Sequence, residues 1–150
     1  MNTIIGEGGL SDKASIALST SKNRRIPNQR MPERSPESMH AAKQLHAKGS
    51  RQLRSLRSTY NCVSMVFANR RTFIEPEQIP MILQDDEYIE VRPDDLMPGD
   101  VVLYKDPKTE DIKHVGLVLA AEMMFETKKI RVLSQFGRDG EYIHDLAARG

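Results

Sequence analysis

The single cysteine of the chain, Cys62, stands where the sequence predicts the start of a helix. Asn61 before it is a good N-cap residue, because its side-chain oxygen can accept a hydrogen bond from the first helical turn. Met65 and Val66 follow Cys62 at the spacing of one apolar helical face. A thiol in a first helical turn has a lowered pKa and is a better nucleophile at neutral pH, because the helix dipole favours an anion there. The alternative is a buried structural cysteine, which packs as a small hydrophobic residue.

Two later segments carry polar groups that could act together with a thiolate. His114 begins a predicted strand, and Ser134 and Gln135 end the strand that follows. Thiol chemistry needs an imidazole that shares the proton and a polar group that orients the imidazole. The order predicts a pair of Cys62 and His114, with Ser134 or Gln135 as the third group and His144 as a later candidate. The alternative for His114 is a histidine at a strand edge with no catalytic role.

The elements that must position these residues can be predicted from apolar spacing and turn residues. Helices precede strands, which favours an α+β fold with an antiparallel sheet. The predicted helices run from Ser35 to about Ser58, from Cys62 to residues 70–71, and over a short segment that opens at residues 75–77. The predicted strands cover residues 88–91, 101–104, 113–120 and 129–135, with a polar hairpin loop at 106–111.

The first 34 residues differ in composition from the rest of the chain. They are rich in Gly, Ser, Asn, Arg and Pro, and their one apolar cluster lies at residues 16–18. So few apolar side chains do not offset the entropy lost on ordering. We therefore predict a flexible basic arm over residues 1–34 and one domain over residues 35–150, whose size fits a single core.

Charge is distributed unevenly along the chain. Residues 1–60 carry eleven Lys or Arg and four Asp or Glu, a net +7, whereas residues 61–150 carry eleven and seventeen, a net −6. A basic front joined to an acidic body indicates self-docking or an anionic partner, with a merely solvated arm as the alternative. Arg51, Arg54 and Arg57 share one face of the long predicted helix and could contact an anionic or protein partner there. Aromatic residues for base stacking are scarce nearby, which disfavours specific RNA recognition.

The cellular compartment follows from the cysteine count and the apolar runs. One cysteine excludes a disulfide within the chain, so the fold needs no oxidising compartment. No apolar run reaches the ~18 residues of a membrane span, so no membrane partner is expected. Residues 1–10 lack the basic and apolar blocks of a secretory signal. We expect a cytoplasmic protein, with export by a signal-independent route as the alternative.

Three motifs in this order resemble the NlpC-type branch of the papain-like cysteine peptidases, which also includes the CHAP amidases. The resemblance covers about residues 45–145, and residues 134–144 also resemble the end of uncharacterised bacterial members. The motifs are a cysteine at a helix start, a Pro-Gly-Asp turn before a strand, and His-Val-Gly opening the next strand: Cys62, Pro98-Gly99-Asp100 and His114-Val115-Gly116. This chain has Asn61 and Val63 where the family usually has Asp and Ser beside its nucleophile.

The resemblance implies a papain-like fold in which the cysteine helix packs on an antiparallel sheet. It also implies cysteine-dependent hydrolysis or acyl transfer at an amide bond, with no metal or other cofactor. The substrate would be a peptide, a peptidoglycan fragment or a protein side-chain amide. The alternative is a catalytically silent NlpC-like module that binds a protein or nucleic-acid partner through the basic helix.

Overall fold

The computed structural model of the protein describes residues 2–4, 15–47 and 51–147. These residues form an α+β fold around one five-stranded antiparallel sheet of strand order β1-β5-β4-β3-β2, as expected from the sequence. The helices are α1 (Pro36–His46), α2 (Cys62–Phe67) and α3 (Ile79–Asp85), with 3-10 turns at Pro76–Gln78 and Pro93–Asp95. The strands are β1 (Gln52–Ser55), β2 (Val101–Lys105), β3 (Ile112–Met124), β4 (Thr127–Gln135) and β5 (Glu141–Asp145).

The long helix expected up to Ser58 is wrong, because α1 ends at His46 and the chain then forms β1. Strand β1 pairs antiparallel with β5, which the sequence analysis did not predict. Gly49, within the expected helix, lies outside the described residues. The basic helical face is wrong for the same reason. Arg54 lies in β1, while Arg51 precedes that strand and Arg57 follows it.

Three of the predicted strands are present as β2, β3 and β4, and β3 runs on to Met124. The strand expected at residues 88–91 is wrong, since these residues are neither helix nor strand. Ile89 is 83% exposed there, so the segment lacks the packing that stabilises a strand. Residues 88–91 have a composition that favours a strand, but none of the described strands pairs with them.

Residues 15–34 lie against the domain rather than extending away from it. Ile16 and Ile26 are buried. Thr20 Oγ1 donates a hydrogen bond to Asp85 Oδ2 at 2.6 Å, and Arg24 binds both oxygens of the same carboxylate at 2.5 and 2.7 Å. The flexible arm is therefore not what the structure shows for residues 15–34, and the contacts that hold them come from the same chain. Residues 5–14 of the expected arm lie outside the described residues.

Helices cover both faces of the sheet. On one face, α2 packs on β3 and β4, and Val115 of β3 joins the apolar core that contains Cys62, Val63 and the buried residues of α3. On the other face, the His46 ring at the end of α1 packs on the rings of Phe136 and Tyr142. Among the helices of the described residues, none is long and apolar enough to cross a membrane.

Asp85→Asn should loosen the contact between residues 15–26 and α3. The guanidinium of Arg24, with Thr20, holds the pKa of the Asp85 carboxyl at about 2, below its ordinary value of 3.8. A lowered folded-state pKa stabilises the fold above the unfolded-state pKa, and this stabilisation disappears as pH falls from about 4 towards 2. We expect the variant to show faster hydrogen exchange in residues 16–26 and a flatter pH dependence of urea unfolding in that interval. Asp95→Asn, in an exposed pair with Arg92, is the matched control, and equal effects of the two substitutions would contradict the prediction.

Candidate functional site

Cys62 occupies the first turn of α2, as the sequence predicts. Asn61 Oδ1 accepts a hydrogen bond from the Ser64 N–H at 3.2 Å, and Ser64 Oγ accepts one from the Asn61 N–H at 3.1 Å. This reciprocal capping box confirms Asn61 as the N-cap. The helix ends at Phe67, earlier than the expected residues 70–71. The Cys62 residue is only 6% exposed, so the thiol has little contact with solvent.

Gln135 lies on the face of the sheet that carries α2. Its Nε2 donates hydrogen bonds to the carbonyl oxygens of Arg57 and Tyr60, at 2.9 and 3.2 Å. The second of these carbonyls precedes Cys62 by two residues. Gln135 therefore fixes the chain segment that leads into α2.

Ser134 and His144 form a buried hydrogen-bonded pair, with 2.5 Å between Oγ and Nε2. His144 Nδ1 lies 2.8 Å from the carbonyl oxygen of Asp145. A carbonyl only accepts, so Nδ1 carries the proton and Nε2 accepts from the serine hydroxyl. Burial lowers the pKa of His144, which agrees with a neutral ring. Both residues are fully buried, so this serine is not exposed to a substrate.

His114 belongs to an aromatic cluster centred on Phe136. The imidazole of His114 stacks on the Phe136 ring with 5.1 Å between centroids, and the Tyr104 ring lies 5.4 Å away. Phe136 also contacts the rings of His46 and His144. Three of the four histidines of the chain thus surround one phenylalanine. His114 is 5% exposed, which fits a packed ring.

Side-chain alternation along β3 and β4 separates the predicted strand residues by the face of the sheet to which they point. Successive side chains of a strand point to opposite faces, so His114 faces away from Val115, which shares a core with Cys62. The same rule separates Ser134 from Gln135. A Cβ placed on Gly116 would lie 3.2 Å from the Ser134 Cβ, so positions 114, 116 and 134 share one face.

The predicted site residues therefore divide into two sets. Cys62 and Gln135 lie on the α2 face, while His114, Ser134 and His144 lie on the α1 face. The pairing of thiol and imidazole that the sequence predicts stays a prediction.

Sequence analysis did not find the open cleft of about 680 Å³ beside the segment that enters α2. We call it the arginine cleft. Its charged and aromatic lining residues are Glu33, Arg54, Arg57, Tyr60, Arg70 and Glu141. Residues of the loop after β1 and of the start of β5 line the cleft, and the two segments meet because β1 pairs with β5. Since neither strand was predicted, no local signal could have assembled these residues.

A buried carboxylate organises one side of the arginine cleft. Glu141 is 5% exposed, and its Oε1 accepts hydrogen bonds from Arg70 Nε at 2.5 Å and the Tyr60 hydroxyl at 3.1 Å. Burial, reinforced by the Glu141 charge, raises the pKa of Tyr60 to about 12, so this hydroxyl stays protonated. Arg70 and Asn69 both have positive φ values, 63° and 51°, which residues other than glycine rarely adopt. The strained turn points to a function, because such strain concentrates at functional sites.

The other arginines of the cleft are exposed. Arg57 pairs with Glu33 at 3.3 Å. Partial burial works against ionisation of Glu33, but hydrogen bonds from Ser58 and Arg57 hold its pKa below the ordinary value. Arg54 makes no ion pair within the described residues. The cleft therefore presents arginine donors that its own carboxylates do not fully neutralise.

A scan against models of known protein families, a search of curated proteins and a search of solved structures found no match. The resemblance to the NlpC-type peptidases therefore stays a prediction. Within the stretches that the structure describes, no group of three His, Cys, Asp or Glu side chains is arranged to hold a metal ion.

Native Cys62 should react slowly with iodoacetamide, because the residue is only 6% exposed. We expect labelling at pH 7 to be about tenfold or more slower in the folded protein than in urea, where the thiol behaves like a model thiol of pKa about 8.5. His114→Gln, which keeps a polar side chain of similar length, should leave the native rate unchanged. Fast native labelling, with a pH inflection well below 8.5 that moves in His114→Gln, would show that the two groups do interact.

Proposed function

We propose that this chain is a catalytically silent module of the NlpC-like, papain-like type, which binds an acidic segment of a protein partner in the arginine cleft. The observation that carries the proposal is the arginine cleft, whose lining includes Arg54, Arg57 and Arg70. Support for the NlpC-like type comes from α2, whose capped first turn holds the cysteine and which packs on an antiparallel sheet.

The charge of the arginine cleft favours an anionic ligand. Its lining includes three arginines and two glutamates, a net +1. Arg70 uses Nε for Glu141, and Arg57 uses Nη1 for Glu33, so both keep further N–H donors. A planar guanidinium can donate two parallel hydrogen bonds to one carboxylate. Aspartate and glutamate side chains of a partner therefore match the cleft in charge and in geometry.

An acidic protein segment fits better than a nucleic acid. Affinity for DNA or RNA comes mainly from many phosphate contacts along an extended basic track. This cleft is compact, and it belongs to a chain whose residues 61–150 carry a net −6. Tyr60 is the aromatic residue of the cleft lining, and it is 3% exposed, so its ring is not available to stack on a base. We place the binding in the cytoplasm, because a chain with a single cysteine forms no internal disulfide.

A cysteine-dependent hydrolase is the second candidate, favoured by the position of Cys62 in a capped first turn beside the arginine cleft. In that mechanism the thiolate attacks an amide carbon, and N–H groups at the start of α2 stabilise the oxyanion. The imidazole of His114 protonates the leaving amine, and water then releases the acyl group. This candidate requires the Cys62 thiol to share its proton with His114, so the iodoacetamide experiment decides between the two functions.

Arg54→Gln should weaken the binding of an acidic peptide. The probe is a fluorescently labelled hexaglutamate peptide, followed by fluorescence anisotropy in low salt. We expect the dissociation constant to rise about three- to tenfold, since one exposed charged contact contributes up to about 1 kcal/mol. Binding by the wild type should also weaken steeply between about 50 and 200 mM salt, because the charges are screened. Arg54 is the appropriate position because its substitution breaks no ion pair of the described fold.

Arg92→Gln is the matched control, since Arg92 is also exposed but lies outside the arginine cleft. It should bind hexaglutamate like the wild type. Equal weakening in both variants would mean that net charge alone attracts the peptide, and the proposed cleft would be wrong. A single-stranded DNA oligonucleotide that binds more tightly than hexaglutamate, and loses this affinity in Arg54→Gln, would replace the protein partner with a nucleic acid.

A further inference from the structure

The hairpin of β3 and β4 projects beyond the rest of the sheet. Strand β2 pairs with β3 only as far as Leu117, and β5 pairs with β4 only from Arg131 onward. Residues 122–129 pair only with each other among the described strands. We call them the ribbon. An isolated two-stranded ribbon is at best marginally stable in water, so this one is a candidate for contact with another surface.

The tip of the ribbon is apolar and strained. Phe125 is 97% exposed, and its neighbours Met123 and Met124 are 68% and 44% exposed. Phe125 and Glu126 both have positive φ values, 50° and 66°, in a two-residue turn that normally favours Asn or Gly. The backbone thus adopts an unfavourable conformation where a large aromatic ring is held in solvent. Both features are costly for an isolated monomer and point to a binding role.

An apolar groove of about 630 Å³ lies beside the base of the ribbon. Its apolar lining includes Ile89, Val91, Leu96, Val101, Leu103 and Ile130. Ile89 is 83% exposed, so the groove opens to solvent. Its volume lies within the usual range of small-molecule pockets, and it is large enough for a phenylalanine and a methionine side chain.

Ribbon and groove are neighbours on the same side of the molecule. Ile130 continues β4 from the ribbon and also lines the groove. Lys128 Nζ donates a hydrogen bond to the carbonyl oxygen of Pro93, which is a further lining residue of the groove. A two-fold axis joins two copies through the same surface patch on each, so a projection and a recess within one patch can fit each other. Rotation about that axis brings each element of one copy to the other element of its partner.

We infer that the protein forms a symmetric dimer in which the ribbon tip of each copy inserts into the apolar groove of the other. A second copy is the occupant because it supplies a matching tip and, by symmetry, makes the contact twice. A stable interface needs about 800 Å² from each partner. One aromatic side chain offers roughly 150–250 Å², and each copy contributes both its tip and its groove. The inference does not depend on the proposed function, because neither element includes a residue of the arginine cleft.

The test is sedimentation equilibrium of the wild type and two variants, from about 1 to 200 µM. The wild type should show a monomer–dimer equilibrium within this range. Phe125→Asp and Ile89→Asp should each raise the dimer dissociation constant about tenfold or more. Both positions are exposed, so neither substitution disturbs the core, and circular dichroism checks that each variant is folded.

A mixture of the two variants separates reciprocal exchange from other dimers. The Ile89→Asp copy keeps an intact tip, and the Phe125→Asp copy keeps an intact groove. The mixture should therefore form heterodimers more tightly than either variant forms homodimers. Leu45→Asp is the matched control, because Leu45 is an exposed apolar residue of α1 outside both elements, and it should leave dimerisation unchanged.

Three outcomes would overturn the inference. The first is a wild type that stays monomeric over the whole range, whether or not it binds vesicles of phosphatidylcholine and phosphatidylglycerol through its tip. The second is a dimer that Phe125→Asp or Ile89→Asp leaves as tight as the wild type. The third is a variant mixture that gains no affinity, because a symmetric exchange must leave one of its two contacts intact.

Discussion

The alternation of side chains along β3 and β4 determines which chemistry this fold can support. Both strands lie inside the sheet, with hydrogen-bonded neighbours on either side. A shift of one residue would turn every side chain to the opposite face, so the register is strongly fixed. Gly116 adds to this constraint, since a Cβ there would lie 2.6 Å from the Val132 Cγ1. The face to which each side chain of β3 and β4 points is therefore a property of the whole sheet, and a change of side-chain rotamer does not alter it.

The polar residues that look catalytic in the sequence have structural contacts in the fold. A buried polar group is costly unless it forms hydrogen bonds. Ser134 meets this requirement with His144, while Gln135 binds two backbone carbonyls in the segment before α2. These contacts link β4 to β5 on one face and to the cysteine helix on the other. A Ser-Gln pair at the end of a strand thus has structural contacts on both faces of the sheet.

The elements that sequence analysis predicted correctly are those with a local signal. Asn61 caps α2 through a residue three positions away, and β2 to β4 contain apolar runs bounded by turn residues. Strand β1 was not predicted because Leu53 and Leu56 fit a helical face that continues from α1, and because its partner β5 lies far along the chain. For a related reason, the sequence does not show how the candidate strand residues divide between the two faces of the sheet. Strand β3 is buried on both faces at His114 and Val115, so its pattern does not reveal which face receives α2.

Part of the charge asymmetry of the chain is neutralised by ion pairs within the fold. Arg24 and Arg34 of the basic front pair with Asp85 and Asp139 of the acidic body, so self-docking accounts for these residues. Arg70 is tied to the fold as well, since its loss would leave a buried carboxylate without its counter-charge. The proposed affinity of the arginine cleft for an acidic segment must then come from its exposed arginine donors. Each donor contributes at most about 1 kcal/mol, so one cleft alone should bind weakly. Two copies joined through their ribbons would carry two clefts. A partner with two acidic segments of suitable spacing would then bind the second cleft at a high effective concentration, and this gain would disappear in a monomeric variant whose clefts are intact.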